Sequence, residues 1–143
     1  MNEPTPFSVA VLDEVNHHKL TTKRATELSV AAFSDRDLDG ERMGEVSVAL
    51  VDLPTIQDLN LKHRGIDSPT DVLSFDIDGP YGEMVGEIVI APEYVGFEEA
   101  AIEELVVHGA LHLAGMDHGD EFEGTEMATV QEAVLRDAGV REG

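Results

Sequence analysis

The sequence predicts an α+β domain: a small mixed β-sheet of about four strands, mostly parallel with one antiparallel hairpin, packed with helices. Three observations carry this. Short apolar strand patterns alternate with helical patterns through the first half of the chain, which favours parallel pairing with right-handed crossovers. Asp78-Gly79-Pro80-Tyr81-Gly82 is a strong turn signal between two apolar runs, which predicts an antiparallel hairpin. A long apolar helical pattern, Glu98 to Ala114, carries two histidines and is expected at the centre of the packing. The chain has 143 residues and shows no internal repeat or linker, so residues 1–143 read as one domain.

Phe7 to Leu12 (FSVAVL) is the first strand. Thr21 or Thr22 caps a helix whose apolar positions include Ala25, Leu28, Ala32 and Phe33. Ser34 to Gly44 is polar and reads as a loop, and Glu45 to Val51 alternates as a second strand. Pro54 suits the first turn of a helix running to about His63, followed by a turn over Gly65 to Pro69. Asp71 to Ile77 and Met84 to Ile90 are the hairpin strands, and Pro92 closes the second. The helix Glu98 to Ala114 has acids in its first turn, where the dipole favours them. Ile102, Leu105, Val106, Gly109 and Leu113 form its buried stripe, and His108 and His112 lie roughly 90° from the centre of that stripe. A final amphipathic helix runs from about Glu123 to Ala138.

Chemistry concentrates in His108-Gly109-Ala110-Leu111-His112-Leu113-Ala114-Gly115-Met116-Asp117-His118. His108 and His112 are four apart, so on a helix they share a face one turn apart. Gly115 can end that helix with a left-handed turn and bring His118 back toward the same point. Three converging neutral imidazoles suit a divalent transition metal, zinc first, with a fourth position open. A closed structural site usually includes cysteine, and this chain has none, although Asp117 or Asp120 can still offer a fourth ligand. The zinc-protease pattern H-E-x-x-H-x-x-G-x-x-H needs a glutamate where Gly109 stands, so peptide hydrolysis is disfavoured.

Thirty acids against nine bases give a formal net charge of −21, which opposes non-specific binding to nucleic acid. The acids are scattered rather than gathered in a tail, which reads as a solubility adaptation more than as a docking surface for a basic partner. No apolar run approaches a membrane span, and no basic-then-apolar leader opens the chain. The lack of cysteine fits a reducing cytoplasm.

The histidine segment meets the signature H-G-x-L-H-L-x-G-x-D-H at His108, Gly109, Leu111, His112, Leu113, Gly115, Asp117 and His118. A second block, Asn60, Arg64, Asp67, Pro69, Thr70, Asp71, Val72, Leu73, Ser74 and Phe75, matches N-x-x-x-R-x-x-D-x-P-T-D-V-L-S-F. Gly86, Ile88 and Ile90, with Gln131 and Glu132 in the last helix, extend the match over about residues 45 to 136. On these residues the chain resembles the YbeY family of bacterial endoribonucleases, the rRNA maturation factors. It departs at His63, where an aromatic is usual, at Asp76 in place of a common proline, and at Glu87 in place of aspartate.

The resemblance implies a metal-dependent, single-strand-preferring endoribonuclease acting in 16S rRNA 3′-end maturation and ribosome quality control. The implied partners are ribosomal RNA, the small ribosomal subunit and assembly factors, with no DNA and no membrane. One Zn2+ per chain is expected on His108, His112 and His118. Arg64 is the candidate catalytic residue, its planar fork matching a phosphate; the alternative is a surface arginine paired with one of the many acids. Asp71 and Thr70 read equally as site residues or as turn hydrogen bonds, and Asp117 reads as a residue that orients a neighbouring ligand. Glu104, one turn before His108, either supports that ligand or is simply a charge favoured by the helix dipole, the second reading being preferred. Two other functions fit the same residues: a non-catalytic ribosome-assembly module with a structural zinc, and a zinc-dependent hydrolase of another substrate.

Overall fold

The computed structural model describes residues 8–35, 43–78, 84–116 and 124–140. A four-stranded sheet is formed by β1 (Ser8–Asp13), β2 (Met43–Leu50), β3 (Val72–Asp78) and β4 (Met84–Ile90), in the order β1-β2-β4-β3. β1 pairs with β2 and β2 with β4 in parallel, while β3 and β4 form the antiparallel pair. β3 therefore lies at a sheet edge. Among the described residues there are four α-helices: α1 (Thr22–Asp35), α2 (Leu53–Arg64) and α3 (Glu99–Leu113) pack on this sheet, and α4 (Glu126–Asp137) packs on α1 and α3.

One face of the sheet presents Val46, Val48 and Leu50 of β2 with Ile88 and Ile90 of β4, all buried in one cluster with residues of α1, α3 and α4. This is the main core. The other face carries a smaller cluster of Val51, Ile56, Leu73, Val89 and Ala91, covered by α2. Strand alternation divides the two, because successive side chains point to opposite faces. α3 is the middle layer of the larger side, touching α1, α4, β3 and β4. It buries Val107, Ala110 and Leu111 besides the stripe expected from the sequence. A one-stripe reading underestimates a helix sandwiched between a sheet and two other helices.

Two glycines set how closely α3 approaches the sheet. A Cβ on Gly109 would lie 2.7 Å from Ile88 Cγ2, and one on Gly86 of β4 would lie 2.7 Å from Leu113 Cδ1. Each glycine receives a large side chain from the opposite element.

Local capping accounts for most helix boundaries. Thr21, rather than Thr22, caps α1, accepting from the Arg24 N–H at 3.0 Å. Asp52 caps α2 by accepting from the Thr55 N–H at 2.9 Å, with Pro54 in the first turn as expected. Thr125 caps α4, accepting from the Ala128 N–H at 3.1 Å, so that helix starts three residues later than the amphipathic pattern predicts. Pro92 does more than close β4, since Pro92–Val95 form a 3₁₀ turn leading toward α3. Arg24 of α1 joins the helical layer, with Nε on Glu103 at 2.8 Å and Nη2 on the Ala138 carbonyl at 2.8 Å.

Candidate functional site

The C-terminal end of α3 and the edge strand β3 border a cavity of about 760 Å³. Its lining includes Arg64, Thr70, Asp71, Asp76, His108 and His112. Arg64, Asp71, Thr70 and two of the three histidines read from the sequence are thus brought to one place. His118 and Asp117, with Asp120, lie outside the described residues. Among the described residues no group of three His, Cys, Asp or Glu side chains is close enough to hold a metal.

His108 and His112 are half-buried, with Nε2 atoms 3.2 Å apart and ring planes 76° to one another. Their other nitrogens are committed. Gly115, at φ 94°, closes α3: its N–H donates to the His112 carbonyl, and the Met116 N–H to that of Leu111, both at 3.0 Å. This reversal returns the Met116 carbonyl to its own helix, where His112 Nδ1 meets it at 3.0 Å. A carbonyl only accepts, so His112 Nδ1 carries a proton. His108 Nδ1 stands 2.8 Å from Gln131 Oε1 of α4, and Gln131 Nε2 donates to Glu104 Oε1 at 3.2 Å. The carboxylate fixes which way the amide points, and the amide oxygen then requires a proton on His108 Nδ1.

In the neutral rings both Nε2 atoms therefore present lone pairs toward each other. Two imidazole lone pairs at this spacing are a donor set that a divalent cation could take. Two nitrogens on a tetrahedral zinc at Zn–N of about 2.0–2.1 Å stand about 3.3–3.4 Å apart. The observed separation and the fixed tautomers fit that ion, and His118 is the candidate for the remaining ligand.

Glu104 supports His108 through Gln131, which replaces the preferred reading of it as a helix-dipole charge; Glu99 is the acid in the first turn. The sequence marks Gln131, 3% exposed, only through the family match. The signal was a polar residue within the buried stripe of Met127, Val134 and Leu135 in α4. The position of the protease glutamate is closed, because Gly109 faces Ile88 and has no room for a side chain.

Arg64 is the last residue of α2, in a basic final turn with Lys62 and His63. It is exposed and, among the described residues, has no ion-pair partner, whereas Lys62 pairs with Asp58 at 2.9 Å. The turn that follows is pinned to α2. Gln57 Nε2 donates to Asp67 Oδ1 at 3.0 Å, and buried Asn60 donates to the Ser68 carbonyl at 2.9 Å. Thr70 Oγ1 donates to Asp71 Oδ1 at 3.3 Å, and the Asp71 carbonyl accepts from the Ala91 N–H at 2.9 Å. Both residues line the cavity, and the bonds they make are one between their own side chains and one from the Asp71 backbone to the end of β4.

The family model described as endoribonuclease YbeY matches residues 10–139. Endoribonuclease YbeY of Rubrobacter xylanophilus is 63% identical over 131 residues, covering 91% of this chain and 95% of that protein. The Treponema pallidum protein of the same name is 41% identical over 123 residues, covering 74% and 77%. A solution structure from Thermotoga maritima is similar at a TM-score of 0.55 and 29% identity, over 91% of this chain and 88% of that one. The chain belongs to the YbeY family.

Proposed function

We propose that this protein is a zinc-dependent endoribonuclease that prefers single-stranded RNA. The observation that carries the reading is the facing pair of His108 and His112 Nε2 atoms, 3.2 Å apart, in a cavity that also holds Arg64. The names of its relatives support an RNA substrate. His108, His112 and His118 would hold one Zn2+ per chain. When bound, zinc supplies Lewis acidity toward a phosphodiester and lowers the pKa of water.

The chain's own groups do the rest. The guanidinium of Arg64, exposed and without an ion-pair partner among the described residues, holds the scissile phosphate through its fork and opposes charge that grows on it. Gln131 and the Met116 carbonyl hold both imidazoles in one tautomer, which keeps Nε2 free of protons. The physiological reading is 16S rRNA 3′-end maturation and ribosome quality control in the cytoplasm, with ribosomal RNA, the small subunit and assembly factors as partners.

Metal analysis and single-stranded RNA cleavage on one preparation test the proposal. We expect one zinc per chain in the wild type and RNA cleavage abolished by chelation. His112→Ala should lose metal and melt at lower temperature, because a bound ion stabilises only the folded state. Full metal occupancy in a His112→Ala, His118→Ala double variant would sink the assignment.

A further inference from the structure

Beside the cavity, His63 of α2 stacks on Phe75 of β3, with ring centroids 4.5 Å apart and planes within 18°. Phe75 lines the cavity, and Arg64 follows His63 directly in the chain. His63 is exposed although one ring face is covered, so its rim and remaining surface stay open to solvent. The only other near-parallel ring pair among the described residues, His17 with Phe97 at 6.2 Å, involves no residue that lines the cavity.

Charge around the ring pair decides what it can take. Phe75 lies opposite Glu87 in the register of the hairpin, and Asp76 follows it. Asp58 neutralises Lys62, the other cation of that helix turn. Glu87, on the same face of the sheet as Phe75, disfavours a phosphate over the ring pair, and Arg64 is the neighbouring cation that could hold one. An uncharged nucleobase meets no such penalty, and every base has a flat face. A chain at −21 gains little RNA affinity from general electrostatics, so stacking has to contribute a larger share.

We infer that the His63–Phe75 pair is a nucleobase subsite, where a base next to the scissile phosphate stacks on the His63 ring while Arg64 holds the phosphate. This rests on the endoribonuclease reading above. Stacking strength grows with ring area, so the subsite favours a purine over a pyrimidine.

Steady-state cleavage of a short single-stranded RNA tests the inference, with wild type, His63→Ala and His63→Trp compared at equal metal content. We expect His63→Ala to raise KM about 10-fold with kcat within about twofold, and His63→Trp to restore KM. Moving a single abasic nucleotide along the substrate should find one position where wild type and His63→Ala become equal. The His63→Ala effect should persist at high salt, since stacking is not a charge interaction.

A wild-type enzyme that cleaves RNA with KM unchanged by His63→Ala overturns the subsite and leaves the nuclease reading intact. A KM defect that tryptophan does not restore, or that no abasic position removes, also overturns it. A metal-loaded wild-type protein that does not cleave RNA overturns both readings together.

Discussion

Gln131 on α4 and His108 on α3 are joined by a 2.8 Å hydrogen bond, 23 residues apart in the chain, and the amide is oriented by its contact with Glu104. The partner that sets the His108 tautomer therefore comes from a different helix. Gln131→Leu keeps the volume and removes the acceptor. It should weaken zinc binding about 10- to 100-fold, the usual effect of losing an outer partner of a ligand histidine. Competition with a chromophoric chelator measures this. Unchanged affinity would reduce Gln131 to packing.

Arg64→Ala should leave metal content and folding near wild type. Turnover should fall about 100-fold or more, as when one well-placed donor to a developing charge is lost. Lysine should rescue only in part, because it keeps the charge and loses the fork. Single-turnover cleavage at saturating RNA checks this. A surface arginine would instead change stability by at most about 1 kcal/mol and leave cleavage untouched.

Gly109→Ala pits two effects against each other. Alanine favours the helix by about 1 kcal/mol. The new methyl meets Ile88 Cγ2 at 2.7 Å, and overpacking of this kind costs about 1–3 kcal/mol. The clash should win, lowering stability by about 1 kcal/mol in urea unfolding. A more stable variant would show that α3 moves off β4 freely.

Salt should affect this enzyme little. The chain has a formal charge of −21, so raising ionic strength screens repulsion from RNA as well as local attraction to Arg64. Cleavage should therefore lose less activity between low and moderate salt than that of a basic nuclease, and can rise. Steep inhibition would reveal a concentrated cationic groove instead.

The fold was largely legible in the order of the elements. The Asp78 to Gly82 turn signal and the two apolar runs around it foretold the β3–β4 pair, and the strand–helix–strand start foretold parallel pairing. Boundaries were less legible where a side chain competed with periodicity. The Thr125 cap begins α4 at Glu126, and the amphipathic pattern alone cannot register that competition. In the site, the spacing of His108 and His112 put both imidazoles on one face of α3, because the helix repeat is local geometry. The placement of His118 and Asp117 falls outside the described residues.

The sequence by itself determined what depends on neighbours along the chain: the helix repeat that pairs His108 with His112, the Gly115 reversal, and the hairpin. Tertiary structure decided the rest, namely the Gln131 bridge to His108 and Glu104, the cavity shared by Arg64 and the two histidines, and the stacking of His63 on Phe75. Local patterns follow from backbone sterics and hydrogen-bond spacing, which act over a few residues. Contacts between elements depend on which faces are buried together, and packing around Gly109 and Gly86 settles that at close range.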